Sequence, residues 1–224
     1  SNPTGGSYSA DDMAGLARVI GKHKHVVAMA DEIYEHITFE GEHVSLASFP
    51  EVANQVVTVN GVSKAYAMTG WRIGYIGAPL DIAMACSKMQ GQFTSAANSI
   101  AQRAAIVALS TSKDELKKQR DVFRSRRDLM VSMFSEIRGF ETNVPSGAFY
   151  LFPKVEGVFG RSHSWGSINS SEDLCNYLLE VAHVATVPGE AFGAPGYIRM
   201  SYAASEQELK EAAKRIKEAV NALT

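Results

Sequence analysis

The spacing of apolar positions changes period several times along the 224-residue chain, and each change predicts an element. Ser9, with Asp12 three residues on, is a helix start. Met13, Leu16, Ala17 and Ile20 then share one helical face. Val26-Val27-Ala28-Met29-Ala30 is a short apolar run, β-branched at its start and followed by an acid. Buried parallel strands read this way. Val56-Val57-Thr58-Val59 repeats the pattern, and Ile73 to Ala78 supplies a third run. Helix alternating with buried strand predicts an α/β sheet with helices on its faces. Ligands of such sheets gather at the carboxyl ends of the strands. Asp31 and Lys64 each follow a predicted strand closely, which makes both candidates.

The texture changes in the second half. Ser112 with Glu115 opens a long helix carrying Val122, Arg126, Leu129, Met130, Met133, Phe134 and Ile137, which should end near Gly139. Phe149 to Phe152 reads as a strand, Gly157 to Ser171 as a Gly/Ser-rich loop, and Leu174, Tyr177, Leu178 and Val181 as one helical face. Strands are predicted over Val184 to Val187 and Tyr197 to Tyr202. Ser205 with Glu208 caps a last helix whose stripe is Leu209, Ala212, Ala213, Ile216, Ala219, Val220 and Leu223. The expected division is an α/β part over 1–125 and a smaller α+β domain over 126–224.

Composition narrows the classes. Twenty-four acids against 22 Lys and Arg give a net charge of −2, which offers no basic face for nucleic acid or a membrane surface. No apolar run approaches the roughly 20 residues that span a bilayer. Cys86 and Cys175, both in helix-like apolar contexts, are expected to be buried free thiols. The six histidines show no metal-ligand spacing, and neither a Ser-His-Asp order nor a P-loop is present.

The chemistry concentrates in Gly61-Val62-Ser63-Lys64-Ala65-Tyr66-Ala67-Met68-Thr69-Gly70-Trp71-Arg72-Ile73-Gly74. A lysine after a small turn, with an arginine eight residues later, suits an aldehyde cofactor that carries a phosphate. The amine condenses with the aldehyde as a Schiff base, and the guanidinium grips the phosphate. Small apolar flanks ease deprotonation of Lys64; the bland alternative is a solvated surface charge. Asp31, in Asp31-Glu32-Ile33-Tyr34, is placed to hold a proton on a ring nitrogen if buried beside it. Tyr34 could bond a phenolic oxygen on the same ring. The alternative is that Asp31 caps a helix and Tyr34 merely packs. Arg199, flanked by Ile198 and Met200 in a predicted strand, needs a partner. That partner is a substrate carboxylate or an internal acid such as Glu190.

Together these stretches resemble the pyridoxal 5′-phosphate (PLP)-dependent class I and II aminotransferases of fold type I. Within them the chain is most like bacterial aspartate aminotransferases carrying Ala-Met-Thr-Gly-Trp-Arg-Ile-Gly-Tyr. The resemblance covers nearly the whole chain, and Asn2-Pro3-Thr4-Gly5 resembles the family's Asn-Pro-x-Gly element. It implies the C-terminal portion of the enzyme: the later part of a PLP-binding large domain, then the small domain. The implied catalytic residues are Lys64, Asp31 and Tyr34. Asn2, Asp31, Tyr34, Ser63, Lys64 and Arg72 are implied to bind the cofactor, and Asn2 and Arg199 the substrate. Many relatives have serine where this chain has Gly61, which leaves Ser63 as the candidate hydroxyl for the phosphate. Pro145 to Tyr150 and Val187 to Gly193 are family landmarks that shape the small domain and the pocket wall.

The resemblance further implies transfer of an amino group between an amino acid, aspartate first, and a 2-oxo acid such as 2-oxoglutarate. It implies a cytoplasmic homodimer, with Thr94 to Ser99 turned towards the partner's site or, on the bland reading, simply starting a helix. The same residues would serve a PLP lyase or decarboxylase, or an aminotransferase-like effector domain of a transcription regulator. By itself the chain is expected to bind PLP poorly and to be inactive, because the family's glycine-rich phosphate turn and ring-stacking aromatic are not among its motifs.

Overall fold

The computed structural model describes residues 1–224, which divide into two compact units: Tyr8–Arg120, and Asp121–Thr224 together with Ser1–Ser7. The sequence pattern placed the division at 125/126 and kept residues 1–7 with the first part. Phe123 explains the shift along the helix: it is buried and stacks on Phe149, so it packs with the second unit. Hydrogen bonds explain the reassignment of the N-terminal residues. Gly147 donates its N–H to Gly5 O at 2.8 Å, and Ser7 donates its N–H to Ser146 Oγ at 2.9 Å.

In the first unit, helix α1 spans Ala10–Lys22 and is closed at its start by the reciprocal Ser9–Asp12 capping box. Strand β1 (Ala28–Asp31) pairs in parallel with β2 (Val56–Gly61), which pairs antiparallel with β3 (Gly74–Gly77). Met13 and Ala17 of α1 pack with Leu46, Val52 and Val56, and Ala28 and Ala30 face that cluster. The opposite side of β1 is open: Met29 is 77% exposed. A strand expected to be buried on both faces is therefore half-covered, because only α1 and the segment after it lie over this part of the sheet.

Helices α2 (Leu80–Phe93) and α3 (Ser99–Leu109) follow. Ala101 and Ala105 of α3 pack on Val62 and Ile73. Helix α2 buries none of its residues, and Leu80, Met84, Met89 and Phe93 are all more than half exposed. Cys86 lies on it and is exposed, which corrects the expectation of two buried thiols; Cys175 is buried, and both are free.

Helix α4 runs from Lys113 to Ser135, and the division between the units falls within it. The second unit has a tighter core. Strands β4 (Tyr150–Leu151), β7 (Val187–Pro188) and β8 (Ile198–Ser201) form an antiparallel sheet with β8 in the middle, while β5 (Ser162–His163) and β6 (Gly166–Ser167) make a hairpin. Helix α5 (Ser171–Tyr177) widens into a π-helical turn over Leu178–Ala182, and α6 spans Glu206–Asn221 behind the Ser205–Glu208 capping box. Phe134, Leu151, Leu174, Leu178, Ile198, Tyr202 and Val220 are fully buried. Burial pushes the Cys175 thiol up to about 11, so it stays protonated. No helix is long and apolar enough to cross a membrane.

One buried acid ties the first unit together. Glu32, 7% exposed, accepts from Ser45 Oγ at 2.8 Å and from the Leu46 N–H at 3.2 Å, and pairs with His43 Nε2 at 3.0 Å. Burial pushes its carboxyl up, but these hydrogen bonds outweigh burial and hold it below the ordinary 4.5. The hydrogen bond to Glu32 raises His43 above 6.5, with burial opposing. Glu32 therefore contributes stability above pH 4.5 that is lost as pH falls through its depressed value. His43 contributes stability below pH 6.5 that is lost as pH rises through its elevated value. Thermal unfolding across pH should show its highest Tm between those limits, and His43→Gln should flatten the decline on the alkaline side.

Candidate functional site

The parallel pairing of β1 with β2 sets the first group of candidate residues. Asp31 lies opposite Val59 in the register, and Glu32 donates its N–H to Val59 O at 2.9 Å. Two turns therefore leave the same end of neighbouring strands. The first carries Asp31 and Tyr34. Its backbone closes through the Glu35 N–H to Glu32 O at 2.9 Å and the Ile37 N–H to Tyr34 O at 2.8 Å. The second carries Ser63 and Lys64. Val62, fully buried, anchors it on α3, Ala65 is nearly fully buried, and the Ala67 N–H reaches Lys64 O at 3.3 Å. Lys64 Nζ stands 5.9 Å from the centre of the Tyr34 ring. Lysine and phenol thus meet although 30 residues separate them in the chain.

Gly61 begins this second turn under close constraint. It pairs with Gly74 across the sheet, and a Cβ on it would lie 2.9 Å from Ile73 O and 3.2 Å from Gly74 Cα. The serine that many relatives carry there has no room in this backbone. Ser63 is half-buried within the same turn.

One expectation of burial is corrected. Asp31 is exposed, and its Oδ1 accepts the Ile33 N–H at 3.2 Å, so one carboxylate oxygen caps the turn. The acid taken inside is its neighbour Glu32. Side chains alternate across a strand, so of two adjacent acids leaving β1 only one can point into the core. Arg72 is exposed, as is Trp71 beside it at 46%. Arg72 takes a left-handed conformation (φ 56°) at the end of the short turn Thr69–Trp71, and its Nη1 donates to Thr69 O at 2.9 Å. It lines an open hollow of about 750 Å³ with Trp71, Gln90, Thr94, Ala97 and Asn98. Asn98 Oδ1 caps α3 by accepting from Ile100 and Ala101, so the Thr94–Ser99 segment does start a helix.

Asn2 and Arg199 meet in the second unit. Arg199 Nη1 donates to Asn2 Oδ1 at 2.9 Å. The guanidinium carbon lies 4.8 Å from the centre of the Tyr150 ring and 5.0 Å from that of Phe192. Its Nε is buried with no hydrogen-bond partner. Glu190, the acid proposed as an internal partner, instead accepts the Ser171 N–H at 3.3 Å. A guanidinium between two rings, with an unsatisfied donor and one neutral amide, is short of an anion. Tyr150 and Phe192 lie within the two landmark stretches, but their contact with Arg199 is a tertiary fact with no local signal.

Asn2 is held by the seat of the segment behind it. Gly5 is buried with φ +69°, and a Cβ there would lie 2.5 Å from Pro145 Cβ and 2.9 Å from Tyr150 O. Arg127 Nη1 in turn supports the Pro145 carbonyl at 2.9 Å. Gly5→Ala should therefore unseat residues 1–7 and destabilise the second unit by at least ~1 kcal/mol. Denaturant unfolding checks the loss, and faster amide exchange at Gly147, which bonds Gly5 O, should accompany it.

The donor set of the first unit is an amine, a phenol, an exposed carboxylate and a guanidinium on an open hollow. It fits a phosphorylated aldehyde such as PLP. The chain matches the family described as aminotransferase class I and II over residues 1–216. It is 48% identical over its full length to an aspartate aminotransferase of Rhizobium meliloti (strain 1021), covering 55% of that protein. It is 46% identical over 98% of its length to a bifunctional aspartate aminotransferase and glutamate/aspartate-prephenate aminotransferase of Petunia hybrida, covering 47% of it. The crystal structure of the aspartate aminotransferase from Rhizobium meliloti superposes on the whole chain with a TM-score of 0.95 at 48% identity, 57% of that structure being covered. The chain spans about half the length of the curated relatives it matches. A match over 216 of 224 residues, on a fold shared at this identity, places the chain in the class I and II aminotransferase family.

Proposed function

We propose that this chain carries the lysine-bearing part of an aspartate aminotransferase that uses PLP and passes an amino group to a 2-oxo acid, 2-oxoglutarate first. The observation that carries the reading is the approach of Lys64 Nζ to the Tyr34 ring beyond the ends of two adjacent parallel strands. The relatives' names support aspartate as donor.

PLP supplies an aldehyde that accepts the amino group and a ring that withdraws electrons from the substrate's Cα. Lys64 would hold the aldehyde through its amine and, when free of it, would serve as the base for the substrate's Cα proton. Asp31 would keep a proton on the ring nitrogen. The Tyr34 hydroxyl would bond the ring oxygen. Arg72 and Ser63 hold the phosphate. Arg199 takes the substrate α-carboxylate, which would satisfy its orphaned Nε, and Asn2 orients it. The reading includes a cytoplasmic homodimer, and the uncovered apolar side chains of α2 suit an assembly larger than these 224 residues. The whole reaction is proposed for a polypeptide of the relatives' length.

Borohydride reduction after incubation with PLP traps even weakly held aldehyde on an amine. Peptide mapping should find the label concentrated on Lys64. Arg72→Ala should lower it about tenfold or more, as loss of a charge-assisted contact to phosphate implies. Label spread evenly over the lysines would refute the assignment. In a polypeptide of the relatives' length, aspartate with 2-oxoglutarate should yield oxaloacetate and glutamate. Carbon dioxide with alanine or β-alanine, and no glutamate, would instead show a decarboxylase.

A further inference from the structure

We propose that Glu35 and Asn60 are positioning residues that clamp the Lys64 turn to the Tyr34 turn and thereby set the approach of amine to phenol. The proposal rests on the reading of Lys64 as the cofactor-bearing amine. Asn60 is the next-to-last residue of β2, 8% exposed, and its backbone lies opposite Tyr75 in the sheet. Its side chain bonds at both ends. Oδ1 accepts the Gly61 N–H at 2.8 Å, and Nδ2 donates to Glu35 Oε1 at 2.8 Å. The parallel register with β1 ends at Val59, so the Gly61 N–H has passed beyond that strand and is satisfied by a side chain.

Glu35 directly follows Tyr34, and Gly61 lies three residues before Lys64. Of these two hydrogen bonds, the first fixes the Asn60 side chain on the backbone of the Lys64 segment, and the second crosses to the Tyr34 segment. The second of them has an anionic acceptor and is the stronger kind. On its other side Gly61 lies so close to Ile73 and Gly74 that a side chain there would have no room. The groups facing Glu35 are His36, whose Nε2 lies 3.3 Å from the same Oε1, and His43, Glu32, Tyr66 and Tyr75. A merely stabilising cluster would share its loss across the unit. A clamp would concentrate the loss on the Lys64 turn.

The test compares Glu35→Ala, Asn60→Ala and Glu35→Gln with the parent chain, reading amide hydrogen exchange peptide by peptide and the share of PLP trapped on Lys64 by borohydride. Both alanine variants should speed exchange across Gly61–Tyr66 about tenfold and cut the share on Lys64 by a similar factor, with α1 exchange unchanged. Glu35→Gln, which keeps the acceptor oxygen, should restore both readouts. The proposal is overturned by parental protection of the turn in Glu35→Ala, by exchange that rises evenly over Tyr8–Arg120, or by a glutamine variant no better than alanine. Equal labelling of Lys64 in parent and Glu35→Ala overturns the clamp and leaves the cofactor reading standing. An unlabelled parent Lys64 whose turn still loosens in Glu35→Ala supports the clamp and removes the cofactor reading.

Discussion

Parallel pairing of Ala28–Asp31 with Val56–Val59 is the constraint on which the first unit depends. Parallel strands end on the same side, so chain segments 30 residues apart leave the sheet as neighbours. The turns after the two strands carry Tyr34 and Lys64, and the backbone geometry of those turns, rather than any attraction between the two side chains, brings them together. The interior follows from the same pairing. Val62 anchors one turn on α3, and Glu32 anchors the other on Ser45 and Leu46. An ion pair or hydrogen bond at a strand end is of small net worth by itself. Here several of them act on backbone already held by the ladder.

The second unit solves a different problem. Arg199 is carried on the central strand of a small antiparallel sheet, where a charge is costly unless matched. Tyr150 and Phe192 flank it and Asn2 gives it one acceptor, which leaves Nε without a partner. The seat of residues 1–7 against Pro145 and Gly147 makes that acceptor available. A segment at one end of the chain thus becomes part of a unit built mainly from the other end.

Much was legible in the amino-acid order. Both reciprocal capping boxes, at Ser9 and Ser205, start the helices they predict. All three strand runs of the first unit form strands, each within two residues of its expected start. Val184 to Val187 was less so: only Val187 pairs there, the strand continuing to Pro188, because a π-helical turn at Leu178–Ala182 prolongs the preceding helical path. Glu35 and Asn60 carried no visible signal. Each is an ordinary polar residue in sequence, and their significance arises from a bond across 25 positions.

Periodicity, caps and the chemical identities in the Lys64 motif are properties of residues a few positions apart, so the order alone determined them. Which of Asp31 and Glu32 is buried, whether Cys86 meets solvent, and what stands beside Arg199 were decided only by the folded chain. Desolvation and hydrogen bonding act through space, and the atoms that supply them here come from segments distant in sequence.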